Sequence, residues 1–205
     1  MKHILNSVSI SQTLRFKFQN CCGVVAVNCV IEAQAYSSAS TCPWQSGWVR
    51  MNGVEVWSGK KCSGVPEIET GIHIFKIDPS SCTMTNHRVF VSKHEIDRRR
   101  ELGGFPDYEP GLRWFLYKSV SDGDIVVGVS AGDDPTNYIG AVRVAKSLKG
   151  RFNVNVEDVG IGGSFAFVAR KGGWSYGQSA VVKVLKDEEG NKEPARVKAA
   201  ITKRM

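Results

Sequence analysis

The order of strand-like and helix-like segments is the feature that most constrains the fold of this chain. Residues 3–20 alternate apolar and polar side chains, and residues 24–35 form a second run rich in Val and Ile. A two-residue repeat places successive side chains on opposite faces of a sheet, so both runs predict strands. Residues 20–23 supply a turn between them, which predicts an N-terminal β-hairpin.

Turn residues predict two further hairpins. Asn52-Gly53 separates two short strand-like segments, and an Asn-Gly pair is the strongest short hairpin signal because both residues accept a positive φ. Residues 78–81 form a second turn region, between strand-like residues 72–77 and 88–92. Short strands joined by tight turns favour antiparallel sheets.

Helical periodicity occurs only in the second half of the chain. One apolar series follows Asp107, and another follows Asp134-Pro135 and ends at Gly150. A buried-type strand at residues 125–129 separates the two predicted helices. Their apolar faces consist of Leu112, Phe115, Leu116 and Val120 in the first, and of Ile139, Val142, Ala145 and Leu148 in the second. Strand-like segments return at residues 154–156, 165–169 and 180–185.

This order predicts an α+β fold, with two antiparallel β-sheets packed with two or three helices. A small polar linker at residues 37–43 favours a boundary near residue 45. We therefore predict that residues 1–45 form a hairpin extension and possible docking element. Residues 46–185 would form the main domain, and residues 186–205 a charged C-terminal arm.

Composition excludes several classes of protein. Of the 205 residues, 42% are apolar and 23% charged, which is typical of a globular chain and not of a disordered one. The net charge of +7 permits an anionic partner, but the basic residues are spread along the whole chain, so nucleic-acid binding is disfavoured. The best uncharged run, residues 19–31, is too short to span a membrane and contains Gln19, Asn20 and Asn28, which predicts no membrane insertion. No signal-peptide pattern follows Lys2 and His3.

The six cysteines do not form a metal-binding or disulfide-framework pattern. They are Cys21, Cys22, Cys29, Cys42, Cys62 and Cys82, and no CxxC motif occurs among them. Zinc sites need such spacing, so we expect no metal. Reduced, partly buried thiols are the favoured prediction, with one or two disulfides as the alternative.

Three short motifs resemble catalytic or cofactor-binding motifs, but the residues around them do not fit those functions. Residues 128–132 match G-x-S-x-G, but every histidine precedes Ser130, which is the wrong order for an α/β-hydrolase. Asp133 and Asp134 open a predicted helix and are expected to cap it. Residues 160–163 lack the GK[ST] of a phosphate-binding loop. The sequence therefore predicts no enzyme activity, no catalytic residues and no cofactor.

Candidate ligand-binding residues cluster near the end of a predicted strand. Trp174 and Tyr176 follow a glycine-rich turn, and Arg170 and Lys171 stand beside it. Exposed aromatic rings can stack on sugars, while Arg and Lys donate hydrogen bonds to hydroxyl groups. The alternative is that Trp174 folds back as a lid over the core.

Five blocks of the second half follow one another in a specific order. They are residues 71–78 (GIHIFKID), 87–90 (HRVF), 114–126 (WFLYKSVSDGDIV), 133–148 and 165–173 (FAFVARKGG). This set, spanning residues 48–183, resembles the ILEI/PANDER (interleukin-like EMT inducer) domain family. The family includes secreted cytokine-like proteins and the glycan-binding stem domain of the protein O-mannose β-GlcNAc-transferase. The resemblance implies a β-β-α sandwich, non-enzymatic recognition, and sugar contacts by Arg88 and Arg170.

The first functional hypothesis is therefore a carbohydrate-binding or adhesive module displayed on a larger assembly. Its glycan or glycoprotein ligand would contact Arg88, Arg170, Lys171, Trp174 and Tyr176, and neighbouring subunits would dock on the N-terminal hairpin and C-terminal arm. The alternative is a structural subunit of a virion or extracellular fibre without sugar binding. A further alternative is a secreted cytokine-like ligand, which predicts disulfides among Cys42, Cys62 and Cys82. A virion or extracellular assembly is the favoured location.

Overall fold

A computed structural model of the protein describes residues 28–36, 46–60, 71–90, 109–131, 142–156, 164–172, 181–185 and 194–202. The first strands are β1 (Asn28–Gln34), β2 (Ser46–Met51), β3 (Val54–Lys60), β4 (Gly71–Asp78) and β5 (Thr83–Phe90). Helix α1 (Glu109–Trp114) continues into a π-helical segment (Phe115–Ser119), followed by β6 (Ile125–Ala131) and α2 (Val142–Phe152). The last strands are β7 (Ser164–Arg170), β8 (Val181–Leu185) and β9 (Arg196–Thr202).

The described strands form two antiparallel sheets in the orders β3-β2-β1-β9 and β5-β4-β6-β7-β8. One face of the five-stranded sheet packs on the helices, through a cluster that includes Ile74, Val126 and Phe115. The other face packs on the four-stranded sheet, through a cluster that includes Phe75 and Val127. The predicted α+β fold with two packed antiparallel sheets is confirmed.

Strand β6 shows why this layering forms. All seven of its residues are buried, so the strand is apolar on both faces. An antiparallel sheet with one solvated face would alternate apolar and polar residues instead. The five-stranded sheet must therefore be covered on both sides, and the helices and the second sheet provide the two covers.

The Asn52-Gly53 turn has the predicted hairpin geometry. The φ angles of Asn52 and Gly53 are 50° and 82°, and two positive values define the turn that suits a twisted two-residue hairpin. The turn also holds its neighbour β1, because Asn52 Oδ1 accepts a hydrogen bond of 2.8 Å from the Val30 amide. The β2–β3 hairpin is therefore specified by its own turn residues and is also hydrogen-bonded to β1.

Residues 154–156, predicted as a strand, form no strand in the structure, and several element boundaries also differ from the sequence prediction. Strand β5 begins at Thr83 rather than at residue 88, because it is the outer strand of its sheet and its exposed residues show no apolar alternation. Helix α2 passes through Gly150 and ends at Phe152. The next residue, Asn153, adopts φ 54°, and its amide donates to the Lys149 carbonyl, as at a left-handed helix cap. The apolar face of the first helix is buried as predicted.

The predicted domain limits are wrong where they meet described residues. Strand β1, assigned to the extension, lies inside the four-stranded sheet with β2 on one edge and β9 on the other. Strand β9, assigned to the charged arm, pairs with β1 along its whole length, from Arg196 to Thr202. Both segments are therefore part of the domain. The predicted hairpin partner at residues 3–20 and the turn at residues 20–23 lie outside the described residues.

A disulfide joins Cys29 in β1 to Cys82 in the turn before β5. It links one sheet to the other, so the favoured prediction of reduced thiols is wrong for this pair. The alternative pairing of Cys82 with Cys42 or Cys62 is excluded by the same bond, and those two cysteines lie outside the described residues.

Tyr36 connects the same two layers by its backbone. Its amide donates to the Ser130 carbonyl, and it forms a parallel bridge with Ala131 in β6. The side chain is buried, which raises the pKa of the phenol above its ordinary value of 10.0 because the charged form would lose its water.

Removing the disulfide should lower the free energy of unfolding. The bond spans 53 residues of sequence, and closing a loop of this size stabilises a domain by about 2–4 kcal/mol. We expect the Cys29→Ala/Cys82→Ala double variant to lose that amount in urea unfolding. An unchanged free energy of unfolding would show that the bond adds nothing to stability.

Tyr36 should make the protein sensitive to alkali. The unfolded chain releases this proton near pH 10 and the folded chain only at higher pH, so the free energy of unfolding falls as the pH rises through that interval. The Tyr36→Phe variant lacks this group. We expect the free energy of unfolding of wild type minus that of the variant to be constant up to about pH 9 and to be lower at about pH 11. A constant difference throughout would contradict the assignment.

Candidate functional site

Arg88 lies on the helix-facing side of the five-stranded sheet. It is directly opposite Ile74 in the β4–β5 register, and Ile74 belongs to the helix-side core. Its guanidinium carbon is 5.7 Å from the centre of the Phe115 ring. The side chain is exposed, so it remains accessible at the rim of the helix layer.

Arg170 lies on the opposite face of the same sheet. It pairs with Ile125, which belongs to the core between the two sheets. Directly opposite residues share a face, and β5 and β7 are three strands apart, which is roughly 14 Å. The structure therefore does not bring Arg88 and Arg170 together, as joint contact with one sugar would require.

Lys171 is buried, and its ammonium group forms hydrogen bonds within the fold. Its ammonium donates to the Tyr117 carbonyl at 3.0 Å and to the Val120 carbonyl. Burial lowers the pKa of Lys171 and the nearby Asp122 carboxylate opposes that change. Lysine groups near the end of a helix stabilise its unpaired carbonyls. The ammonium thus faces the helix end rather than a ligand, while Trp174 and Tyr176 lie outside the described residues.

A second lysine supports the same helix end. Lys76 in β4 donates to the Ser119 carbonyl at 3.1 Å and forms a 2.8 Å ion pair with Asp124. Asp124 also accepts a 2.7 Å hydrogen bond from the Ser121 amide. Lys76 and Lys171 together fix the π-helical segment to the sheet, which sets the position of the residues on its outer side.

Those outer residues line a groove of about 700 Å³ between the two helices. The volume is within the range of small-ligand sites. One wall is the first helix and the other is α2. The lining residues are Arg113, Leu116, Tyr117, Lys146, Ser147, Gly150 and Arg151.

This groove, which we name the helix groove, is lined by one aromatic side chain, Tyr117, and three cationic ones. The guanidinium of Arg151 lies 4.3 Å above the Tyr117 ring, and the Lys118 ammonium lies 5.0 Å from it. Tyr117 is 50% exposed and the adjacent Trp114 is 59% exposed. Exposed aromatic rings beside Arg and Lys form a surface suited to polar ligands with a flat face.

Sequence reasoning missed the helix groove because it followed the buried face of the first helix. Trp114 and Tyr117 interrupt that face and carry no periodic signal. The available signal was the spacing of Arg113, Tyr117 and Lys118, which places aromatic and basic groups on one exposed helical surface.

A histidine pair forms a separate cluster between the sheets. His73 Nδ1 and His87 Nε2 are 3.0 Å apart, and the Trp57 ring centre is 4.5 Å from that of His73. Among the described residues, no group of three or more His, Cys, Asp or Glu side chains is placed to hold a metal ion.

The G-x-S-x-G motif has a packing role in β6. Ser130 is buried, and its hydroxyl accepts a hydrogen bond from the Phe165 amide, which ties β6 to β7. Gly128 faces Phe167 across the same pair of strands. A Cβ atom at position 128 would lie 2.2 Å from Cε1 of that buried ring. The first glycine therefore makes room for an aromatic side chain.

No protein-family model matches this sequence, and no curated protein matches it either. Within the described part of the chain, no helix is long and apolar enough to cross a membrane.

Gly128 and Gly150 offer a matched test of this packing role. We expect Gly128→Ala to lower the free energy of unfolding by about 1–3 kcal/mol because the Phe167 ring cannot move within the core. Gly150→Ala should raise it by about 0.5–1 kcal/mol, because the site is helical and open. Equal effects in thermal or urea unfolding would contradict the assignment.

Proposed function

We propose that the protein is a non-enzymatic recognition module that binds carbohydrate in the helix groove. The observation that carries this proposal is the exposed Tyr117 ring in the groove, beside the lining cations Arg113, Lys146 and Arg151. Trp114, which is also exposed, lies three residues before Tyr117 in the same helical stretch and is not itself a lining residue. Sugar rings present flat C–H faces to aromatic rings and hydroxyl groups to charged donors. An aromatic ring and charged hydrogen-bond donors occur together on this accessible surface.

The ligand would lie on the outside of the helices rather than at the sheet. Among the described candidate residues, Arg88 is exposed on the helix-facing side of the sheet, and we infer that it extends this surface. Arg170 and Lys171 are not included, since one is on the far face of the sheet and the other donates to helix carbonyls.

A structural subunit is the second candidate function, and the edge of β5 favours it. In the described part of the chain β5 is the outermost strand of its sheet, and its first four residues, Thr83 to Asn86, are exposed. An outer strand can pair with a strand of a neighbouring molecule. Light scattering on the purified chain distinguishes this function, because it requires concentration-dependent assembly.

Tyr117 should be essential for carbohydrate binding. We expect Tyr117→Ala to weaken binding on a glycan array by at least about ten-fold, because a buried aromatic contact often contributes a large part of the binding energy of a site. Val54→Ala is the matched control, because Val54 is 66% exposed on the four-stranded sheet, away from the groove. Arrays on which the wild-type chain binds no glycan, or on which both variants bind like wild type, would reject the proposal.

A further inference from the structure

Cationic groups enter the helix groove from both walls. Arg113 belongs to the first helix, whereas Lys146 and Arg151 belong to α2. No Asp or Glu lines the groove, and none of the three cations forms an ion pair with a carboxylate of the described residues. Like charges on facing walls repel, and an anion placed between them removes that repulsion.

The described carboxylates that form ion pairs with described residues are each bound to a cation outside the groove. Asp124 binds Lys76 and the Ser121 amide. On the far sheet, Glu55 pairs with Arg50 and Glu32 with Lys198. The negative charges of these pairs are therefore not available to the groove.

Arg151 lies where it can bind an anion in the groove. Its guanidinium carbon is 4.3 Å from the centre of the Tyr117 ring. The N–H donors of a guanidinium lie in its plane and point outward from its edge, so a guanidinium above a ring can still form a forked contact with two oxygens. Sulfate and carboxylate groups present such paired oxygens.

We propose that the ligand of the helix groove is an anionic oligosaccharide bearing sulfate or uronate groups. This inference rests on the proposed carbohydrate-binding function and adds the charge class of the ligand. Trp114 and Tyr117 contact the sugar rings, while Arg113, Lys146 and Arg151 bind the acidic substituents. Because the contacts are at the surface, added salt weakens them.

The test uses the full chain and calorimetry with three probes. They are a heparin-derived hexasaccharide, a neutral N-acetylglucosamine oligomer of equal length, and a single-stranded DNA oligonucleotide of similar charge. The groove variant is Arg113→Gln/Arg151→Gln. The control is Arg50→Gln/Lys198→Gln, which removes the same charge from exposed positions on the four-stranded sheet. Thermal unfolding verifies that both variants are folded.

We expect the heparin fragment to bind more tightly than the neutral oligomer, and the groove variant to lose about ten-fold or more in affinity. The control variant should bind like wild type. Equal affinity for the neutral oligomer, with loss on Tyr117→Ala, would overturn the anionic class but keep the carbohydrate function. Equal loss in both charge variants, or equal affinity for DNA, would overturn the proposal in favour of general polyanion attraction. Binding to none of the probes would remove support from both proposals.

Discussion

Burial of the five-stranded sheet on both faces is the constraint on which the rest of the structure depends. Strand β6 lies at the centre of that sheet, and none of its residues is accessible. One cover is formed by the helices and the other by a sheet whose strands come from distant parts of the sequence. The Cys29–Cys82 bond and the Tyr36 bridge then hold the second cover in place.

The sequence predicts those parts of the fold whose signals are local. The Asn52-Gly53 turn, the buried run at residues 125–129 and the face of Leu112 and Leu116 all depend on residues a few positions apart, and the structure contains each of them. The domain limits depend on which strand lies beside β1. That choice is a long-range pairing with β9, and nothing in the alternation of either strand specifies its partner.

The candidate site was less predictable for a related reason. Arg88 and Arg170 come from blocks that are far apart in the sequence, and the face of the sheet on which each side chain lies is decided by strand register. A one-residue difference in register moves a side chain to the other face, so two well-placed strands do not guarantee a shared site. The helix groove, in contrast, depends on exposed residues such as Tyr117, whose positions are not constrained by the apolar pattern that sequence reasoning follows.

The pairing of β1 with β9 also has a consequence for the time course of folding. The β2–β3 hairpin and β1 are near neighbours in sequence, whereas β9 joins them across nearly the whole described chain. Contacts between such distant segments form slowly because a large loop must close first. During synthesis, Cys82 emerges long before β9, so the disulfide can fasten β1 to the growing five-stranded sheet while one edge of β1 is still open. The disulfide thus shortens the loop that must close before β9 pairs with β1. An oxidising folding environment would therefore affect the rate of folding as well as the final stability.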